Sequence, residues 1–214
     1  RGAENVEVIL KQCAELGLSC VTMYAFSTEN WSRPVFEVKA LMKLFQYYLK
    51  KKLTSLYQAN IKVMIIGDIS PFPKVIRNYI KNLEELTKNN DGMVLNLALN
   101  YGGRAEIVRA TKRLCKKLLQ KKISLGQIDE EYFGENLDTG KEPYPDLIIR
   151  TAGERRLSNF LLWQSAYSEL HFSEKPWPDF SKKDLELALS DYYLRTRKFG
   201  SLTNKKSFKN SGLS

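Results

Sequence analysis

The chain has 214 residues, 43% hydrophobic and 27% charged, which is typical of a globular domain. No apolar run reaches the ~18 residues of a membrane span. Lysine and arginine exceed aspartate and glutamate by 34 − 24 = 10, which favours anionic partners such as phosphates, nucleic acid or acidic lipid. Three cysteines and one histidine argue against a disulfide framework or a paired Cys/His zinc site. They favour a reducing, cytoplasmic compartment, although an organellar targeting segment upstream stays open.

Short apolar runs alternate with longer stretches of helical spacing. Strands are predicted at 20–26, 61–66, 93–99, 146–150 and 170–172, and helices at 4–16, 34–59, 71–89, 105–122 and 181–198. A weaker helical pattern covers 126–137, and 160–167 fits helix or strand equally well. This alternation predicts an α/β fold, with a mostly parallel central sheet and helices on both faces. Residues 1–200 are expected to form one domain, and 201–214 a disordered polar tail.

Polar residues follow the predicted strands, at the edge where parallel sheets bind ligands. Ser27, Asp68, Asn100 and Arg150 each begin such a loop. The Arg150–Ser158 loop carries three arginines, a glycine and a hydroxyl, which suits phosphate oxygens. A solvated surface loop is an equally good interpretation of its composition.

The other candidate residues each have a structural alternative. Asn100–Arg104 suits a second anion at a helix N-terminus or a plain strand-to-helix turn. For Ser27–Asn30, a capping stretch is favoured over a binding role. Glu169 suits Mg²⁺ near a phosphate, but a salt bridge to an arginine is the safer interpretation. His171 is more often a packed or surface histidine than a base.

The long helix predicted from Pro34 is apolar around most of its girth near residues 35–49. That pattern is typical of a core helix or a dimer face. It also suits the wall of an apolar tunnel, and a tunnel beside a diphosphate site would fit a lipid diphosphate.

Six segments, in order, resemble the cis-prenyltransferases, and the bacterial undecaprenyl diphosphate synthases most closely. They are A-F-S-T-E-N-W-S-R-P (25–34), I-G-D (66–68), L-N-Y-G-G-R (99–104), I-R-T-A-G-E-R-R-L-S-N-F-L-L-W-Q (149–164), Y-S-E-L (167–170) and W-P-D-F (177–180). The resemblance spans roughly residues 1–200. Six ordered motifs are far more specific than any one of them.

The resemblance implies a homodimeric, Mg²⁺-dependent enzyme that adds isopentenyl diphosphate repeatedly to an allylic diphosphate, usually farnesyl diphosphate, forming cis double bonds. It assigns catalysis to Ser27 and Asn30, substrate binding to Trp31, Arg33, Arg150, Arg156 and Ser158, tunnel walls to Ala25, Ile61 and Met93, and metal binding to Glu169. Glu154 matches a position near the same site. The long hydrocarbon product further suggests peripheral contact with a membrane.

Two departures from the family pattern bear on activity. The family has an upstream strand, a D-G-N-x-R-W loop with its main metal-binding aspartate, and an active-site histidine, all before the equivalent of Arg1. The chain as given is therefore expected to be inactive or nearly so. The family's C-terminal R-x-G is here Lys198-Phe199-Gly200, and lysine lacks the bidentate fork of arginine.

Two other functions compete with the enzyme. A non-catalytic partner subunit of a heteromeric prenyltransferase would tend to lose the Ser/Asn and Arg/Glu/Arg/Ser motifs, and this chain keeps both. A nucleic-acid-binding protein predicts a basic, aromatic face or a known motif, and neither is found.

Overall fold

A computed structural model describes residues 2–195, apart from the side chains of residues 51–54. Helices and strands alternate along the chain, as predicted. They are α1 (Gly2–Glu15), β1 (Cys20–Ser27), α2 (Val35–Gln58), β2 (Lys62–Ile66), α3 (Lys74–Thr87), β3 (Val94–Tyr101), α4 (Gly103–Leu119), α5 (Glu130–Glu135), β4 (Leu147–Arg150), β5 (Glu169–Phe172) and α6 (Lys182–Leu194). The α/β prediction is confirmed. The predicted polar tail and Lys198 lie outside the described residues.

The strands form two parallel sheets instead of the single sheet predicted. One has the order β1-β3-β2 and the other pairs β4 with β5. Residues of both β1 and β4 line one large cavity, and within residues 2–195 no ladder joins these two strands. The two sheets therefore do not join into one at β1 and β4, the two strands that border this cavity.

The structure differs from the predicted elements in three places. β3 continues to Tyr101, so the glycine loop before α4 is shorter than expected. The weak helical pattern at 126–137 yields only α5, whose first turn is capped by Asp129 through a 2.8 Å bond from the Tyr132 N–H. Residues 160–167 form turns, being neither helix nor strand. Leu161, with φ of +45°, interrupts both patterns there.

The main core lies between the three-stranded sheet and helices α1, α2 and α3. At the amino ends of β2 and β3 this core contains buried apolar side chains, among them Ile61 and Met93. α1 is attached to the turn after β5: the Asn5 amide donates to the carbonyls of Trp177 and Phe180 at 2.7 and 2.8 Å. The packed end of the sheet is thus the amino end, opposite the polar loops.

A buried carboxylate lies behind those loops. Glu106 on α4 accepts hydrogen bonds from the Tyr101 hydroxyl at 2.5 Å, the Asp138 N–H at 2.9 Å and the Gln164 amide at 3.2 Å. Burial raises the pKa of Glu106, and the neighbouring Asp138 charge adds to this, although the hydrogen bonds oppose it. Glu106 thereby links β3, α4 and the segment that follows Ser158.

A candidate diphosphate and hydrocarbon site at the carboxyl ends of the strands

A cavity of about 1490 Å³ opens at the carboxyl ends of β1 and β4. Its polar rim contains Ser27, Asn30, Arg150, Arg156 and Ser158, all of which were predicted as site residues. The cavity continues between the sheet and α2, where its walls are apolar, including Leu41, Phe45, Leu49, Leu95 and Leu97. The volume exceeds the ~300–1,000 Å³ of pockets for drug-sized ligands. Its shape and chemistry therefore suit a long molecule with an anionic head and an apolar tail.

Three loops meet at the rim: residues 27–30, 102–104 and 150–159. We call their meeting point the loop junction. Asn159 is bonded to the other two loops. Its carbonyl accepts from the Gly103 N–H at 2.7 Å, its Oδ1 accepts from the Arg104 N–H at 2.9 Å, and its Nδ2 donates to Glu29 Oε1 at 2.8 Å. Because Asn159 occupies these two N–H groups of α4, residues 100–104 behave as a strand-to-helix turn, and the second-anion hypothesis is wrong for these groups.

The two glycines before α4 permit the loops to approach closely. A Cβ on Gly102 would lie 2.6 Å from Thr28 Oγ1 and 2.7 Å from Asn159 Nδ2. A Cβ on Gly103 would lie 2.8 Å from Leu162 Cγ. Any larger residue at these positions would separate the loops.

The segment after β1 combines capping with exposure to the cavity. The Ser27 N–H donates to Asn30 Oδ1 at 2.9 Å, closing a short 3₁₀ turn over residues 28–32. The favoured capping interpretation is confirmed. This bond also orients the Asn30 amide at the rim, where hydroxyl and amide groups of this segment face the same cavity as the arginines.

Trp31 and Arg33 contribute differently from the other predicted residues. The Trp31 indole donates to Asn100 Oδ1 at 2.8 Å, and its ring packs against Phe26 and Phe72. Arg33 lies 3.9 Å from Glu37 in an exposed ion pair. Neither residue lines the cavity, so their substrate-binding roles stay predictions.

The 150–159 loop contains several residues in the left-handed region. Ala152, Gly153, Ser158 and Asn159 have φ of +67°, +68°, +50° and +63°. Such a backbone costs about 1–3 kcal/mol for a non-glycine residue, so it persists only when the surroundings enforce it. Here the Ala152 and Gly153 N–H groups donate to carbonyls near the end of β5, at 2.7 and 2.9 Å. The strained loop is therefore fixed by bonds on both sides.

The rim of the cavity carries both positively and negatively charged side chains. Arg156 forms an ion pair with Glu154, and both line the cavity, whereas Arg155 is exposed beside Glu174. Burial would raise the pKa of Glu29, but the hydrogen bond from Asn159 and bonds within its own turn lower it below the usual range. The rim thus presents arginine cations next to an ionised carboxylate that is already bonded.

Of the three predicted tunnel residues, one lines the cavity and two lie in the core. Ala25 lines the cavity. Ile61 and Met93 are 2% and 5% exposed in the core at the amino ends of the strands, outside the cavity lining. Apolar residues of α2 and β3 line the cavity, and the tunnel role of Ile61 and Met93 stays a prediction.

Glu169 lies at the first residue of β5, paired with Leu147, whereas Arg150 pairs with Phe172 at the other end of the ladder. Its carboxylate forms a 2.9 Å ion pair with Arg195, which lies outside the 150–158 loop, and its metal-binding role stays a prediction. His171 is half-buried, with Nδ1 3.3 Å from Asp191, as a packed histidine.

Across residues 2–195 no cluster of three His, Cys, Asp or Glu side chains is arranged to bind a metal. Mg²⁺ needs only one or two carboxylates together with phosphates. Glu154 is a carboxylate on the cavity, but its ion pair with Arg156 already occupies it. The Mg²⁺ requirement that the family resemblance implies therefore stays a prediction.

Sequence reasoning assigned no role to Glu29 or Asn159, although both lie within the recognised motifs. Asn tolerates left-handed backbone better than most residues, which is a weak signal for a turn at Ser158-Asn159. Nothing in the sequence indicates that Asn159 contacts a loop 130 positions away.

Comparison with known proteins agrees with this geometry. The family model described as "Putative undecaprenyl diphosphate synthase" matches residues 1–200. The chain belongs to this prenyltransferase family. An isoprenyl transferase of Clostridium perfringens is 49% identical over 94% of this chain and 79% of its own length. A ditrans,polycis-undecaprenyl-diphosphate synthase ((2E,6E)-farnesyl-diphosphate specific) of Legionella pneumophila is 44% identical over 94% of this chain and 85% of its own.

A solved prenyltransferase structure confirms the fold. Lavandulyl diphosphate synthase from Lavandula x intermedia, in complex with dimethylallyl diphosphate, superposes with a TM-score of 0.90 and 37% identity, covering 94% of this chain and 86% of that one. The family resemblance inferred from the six motifs is thus confirmed. The alternative of a non-catalytic partner subunit gains no support. Within residues 2–195 no helix is long and apolar enough to cross a membrane.

Proposed function

We propose that the protein is a cis-prenyltransferase, which condenses isopentenyl diphosphate repeatedly onto an allylic diphosphate to make a long cis-polyprenyl diphosphate. The observation that carries the proposal is one cavity with an arginine and hydroxyl rim and an apolar extension along α2. Farnesyl diphosphate is the expected starter, supported by the farnesyl-diphosphate specificity in the name of the Legionella relative.

Arg150, Arg156 and Ser158 are proposed to bind the diphosphate of isopentenyl diphosphate. Guanidinium groups form paired, charge-assisted bonds with phosphate oxygens, and a serine hydroxyl can donate a further one. The ion pair between Arg156 and Glu154 lies at the same rim, so the substrate would compete with Glu154 for that guanidinium. The fixed backbone of the loop keeps these donors in place before the substrate arrives.

Ser27 and Asn30 are proposed to act on the allylic substrate. Loss of its diphosphate develops negative charge on the leaving oxygens, which oriented hydroxyl and amide donors stabilise. The Ser27 N–H bond to Asn30 Oδ1 presets that orientation. The positive charge left on the allylic carbon must avoid water, and the apolar side chains along α2 exclude it.

Mg²⁺ is part of the proposal, and when bound it would neutralise charge on a diphosphate. We propose that Glu169 supplies one carboxylate to it, as the family resemblance implies, in exchange for its ion pair with Arg195. Within residues 2–195 no ladder joins β1 to β4 on the cavity, which supports an additional strand between them.

We also propose that the protein forms a homodimer and contacts a membrane transiently. Family membership supports the first, and the hydrocarbon product supports the second. Light scattering of the protein tests for a dimer. Co-sedimentation with acidic phospholipid vesicles tests for membrane contact, and neutral vesicles serve as the control.

The deciding experiment measures incorporation of labelled isopentenyl diphosphate with farnesyl diphosphate as starter. It is run on the full-length protein, once with Mg²⁺ and once with EDTA. Incorporation that requires Mg²⁺ supports the proposal. No incorporation with any allylic starter would overturn it.

A further inference from the structure

Asn159 uses every polar group of its side chain, and its carbonyl, to join loops that the chain places far apart. Two bonds go to the start of α4 and one goes to Glu29 after β1. The preceding residue is Ser158, on the cavity rim. Asn159 therefore connects the rim arginine loop directly to the Ser27–Asn30 loop.

The amide is chemically suited to this position. Oδ1 accepts from a backbone N–H while Nδ2 donates to a carboxylate, a combination that aspartate cannot reproduce. The backbone φ of +63° also favours asparagine over most other residues. A strained backbone that is bonded on three sides is a recognised sign of a functional constraint.

We propose that Asn159 is a positioning residue that sets the distance between the two substrate-binding halves of the rim. This inference rests on the proposed function, in which Ser158 serves isopentenyl diphosphate and the Ser27–Asn30 loop serves the allylic substrate. Asn159 itself lines the cavity next to Ser158. It acts by attaching Ser158 to Glu29 and to the start of α4.

Loss of the Asn159 bonds is expected to slow the reaction step and to leave substrate binding nearly unchanged. Each half of the rim retains its own donors when the connection is lost, so each substrate still binds. Bond formation between two substrates depends on their relative placement, and a displacement of about 1 Å can cost roughly 100-fold in rate. Loss of the connection should therefore lower kcat with little change in either KM.

The test uses the variant Asn159→Asp in the full-length protein with farnesyl diphosphate and isopentenyl diphosphate. Aspartate retains the acceptor for the Arg104 N–H but faces Glu29 with a second carboxylate. We expect kcat to fall about 10- to 100-fold, with both KM values within about threefold of wild type. Combining it with Glu29→Gln restores a donor, from Gln Nε2 to the new aspartate, and should bring kcat back to within about fivefold.

Two further variants serve as controls. Glu29→Gln alone keeps an acceptor for Asn159 Nδ2, and its kcat is the reference that separates the effect of residue 29 from the restored bond in the double variant. Asn159→Gly permits the left-handed backbone but removes both side-chain bonds. In that variant the Arg104 amide should lose protection from hydrogen exchange, whereas Asn159→Asp should retain it. Thermal unfolding of each variant confirms that it is folded.

The outcomes separate the two proposals. If wild type incorporates no substrate, the proposed function fails, and the exchange of the Arg104 amide still tests the connection. If wild type is active and Asn159→Asp has wild-type kcat, the positioning role is overturned. It is also overturned if the second substitution does not restore kcat, because a loss confined to folding or local packing would not respond to a new donor at residue 29.

Discussion

The two ends of the same parallel strands are built in opposite ways. At the amino end, the Ile61 and Met93 side chains are almost fully buried in the apolar core, and Asn60, Asn90 and Asp91 form hydrogen bonds in the turns at its edge. At the carboxyl end, the loop junction is polar, contains two crowded glycines and left-handed residues, and borders a large cavity. Apolar packing is non-directional and stabilises the fold in proportion to buried area. Hydrogen bonds at the junction instead fix particular atoms relative to one another.

This difference predicts which property of the protein a substitution changes at each end of the strands. A change at the amino end should alter the free energy of unfolding and leave the chemistry alone. A change at the junction should alter the reaction while the fold persists. Four substitutions test that division, from the largest expected effect to the smallest.

Met93→Ala should lower the free energy of unfolding by about 2–5 kcal/mol, because it leaves a cavity in a packed core. Urea denaturation measures the change. Leu125→Ala, at a side chain that is 73% exposed, should change stability by less than about 0.5 kcal/mol. A shift in product length without loss of stability would contradict this prediction and restore Met93 to the tunnel wall that the family resemblance implies.

Arg150→Ala should reduce kcat/KM for isopentenyl diphosphate roughly 10- to 100-fold, mainly through KM, because a charge-assisted bond to phosphate contributes about 1.5–3 kcal/mol. Steady-state kinetics with isopentenyl diphosphate varied measures it. The matched control is Arg155→Ala in the same loop, since Arg155 is exposed beside Glu174. Equal losses in both variants would show that net charge, not position, accounts for binding.

Gly102→Ala should lower kcat about tenfold, because the new methyl group would press on Thr28 and Asn159 and move the loops apart. Gly126→Ala, whose Cβ would meet nothing within 4 Å, should have wild-type kinetics. If Gly102→Ala also has wild-type kinetics, the loop junction tolerates displacement. That result would contradict the claim that changes at the carboxyl end alter the reaction.

Glu106→Gln should change the pH dependence of stability without unfolding the protein. Because the folded pKa of Glu106 lies above its unfolded value, its contribution is fully present below the unfolded pKa and is lost as pH rises through the folded pKa. The stability advantage of wild type over the variant should therefore shrink as pH rises above the ordinary glutamate range. Urea denaturation at a series of pH values measures this, and a pH-independent difference would refute it.

Much of the site could be predicted because its residues are local in sequence. Ser27 and Asn30 lie in one turn, and Arg150, Arg156 and Ser158 lie in one loop, so motif spacing brings each group together. Both groups were predicted at strand ends, and the structure brings the ends of β1 and β4 to one cavity although no ladder joins these strands within residues 2–195. Glu106, Glu29 and Asn159 escaped prediction because their partners are distant in the chain.

The sequence by itself determined the alternation of helix and strand, the polar edge of the sheet and the family, since these depend on periodicity and on short motifs. Only the tertiary structure decided that Ile61 and Met93 are core residues, that Glu169 pairs with Arg195, and that Asn159 joins three loops. Those outcomes depend on which distant atoms come within about 3 Å, the length of a hydrogen bond or ion pair, or into van der Waals contact. Such distances follow from the packing of whole elements, and no local pattern encodes them.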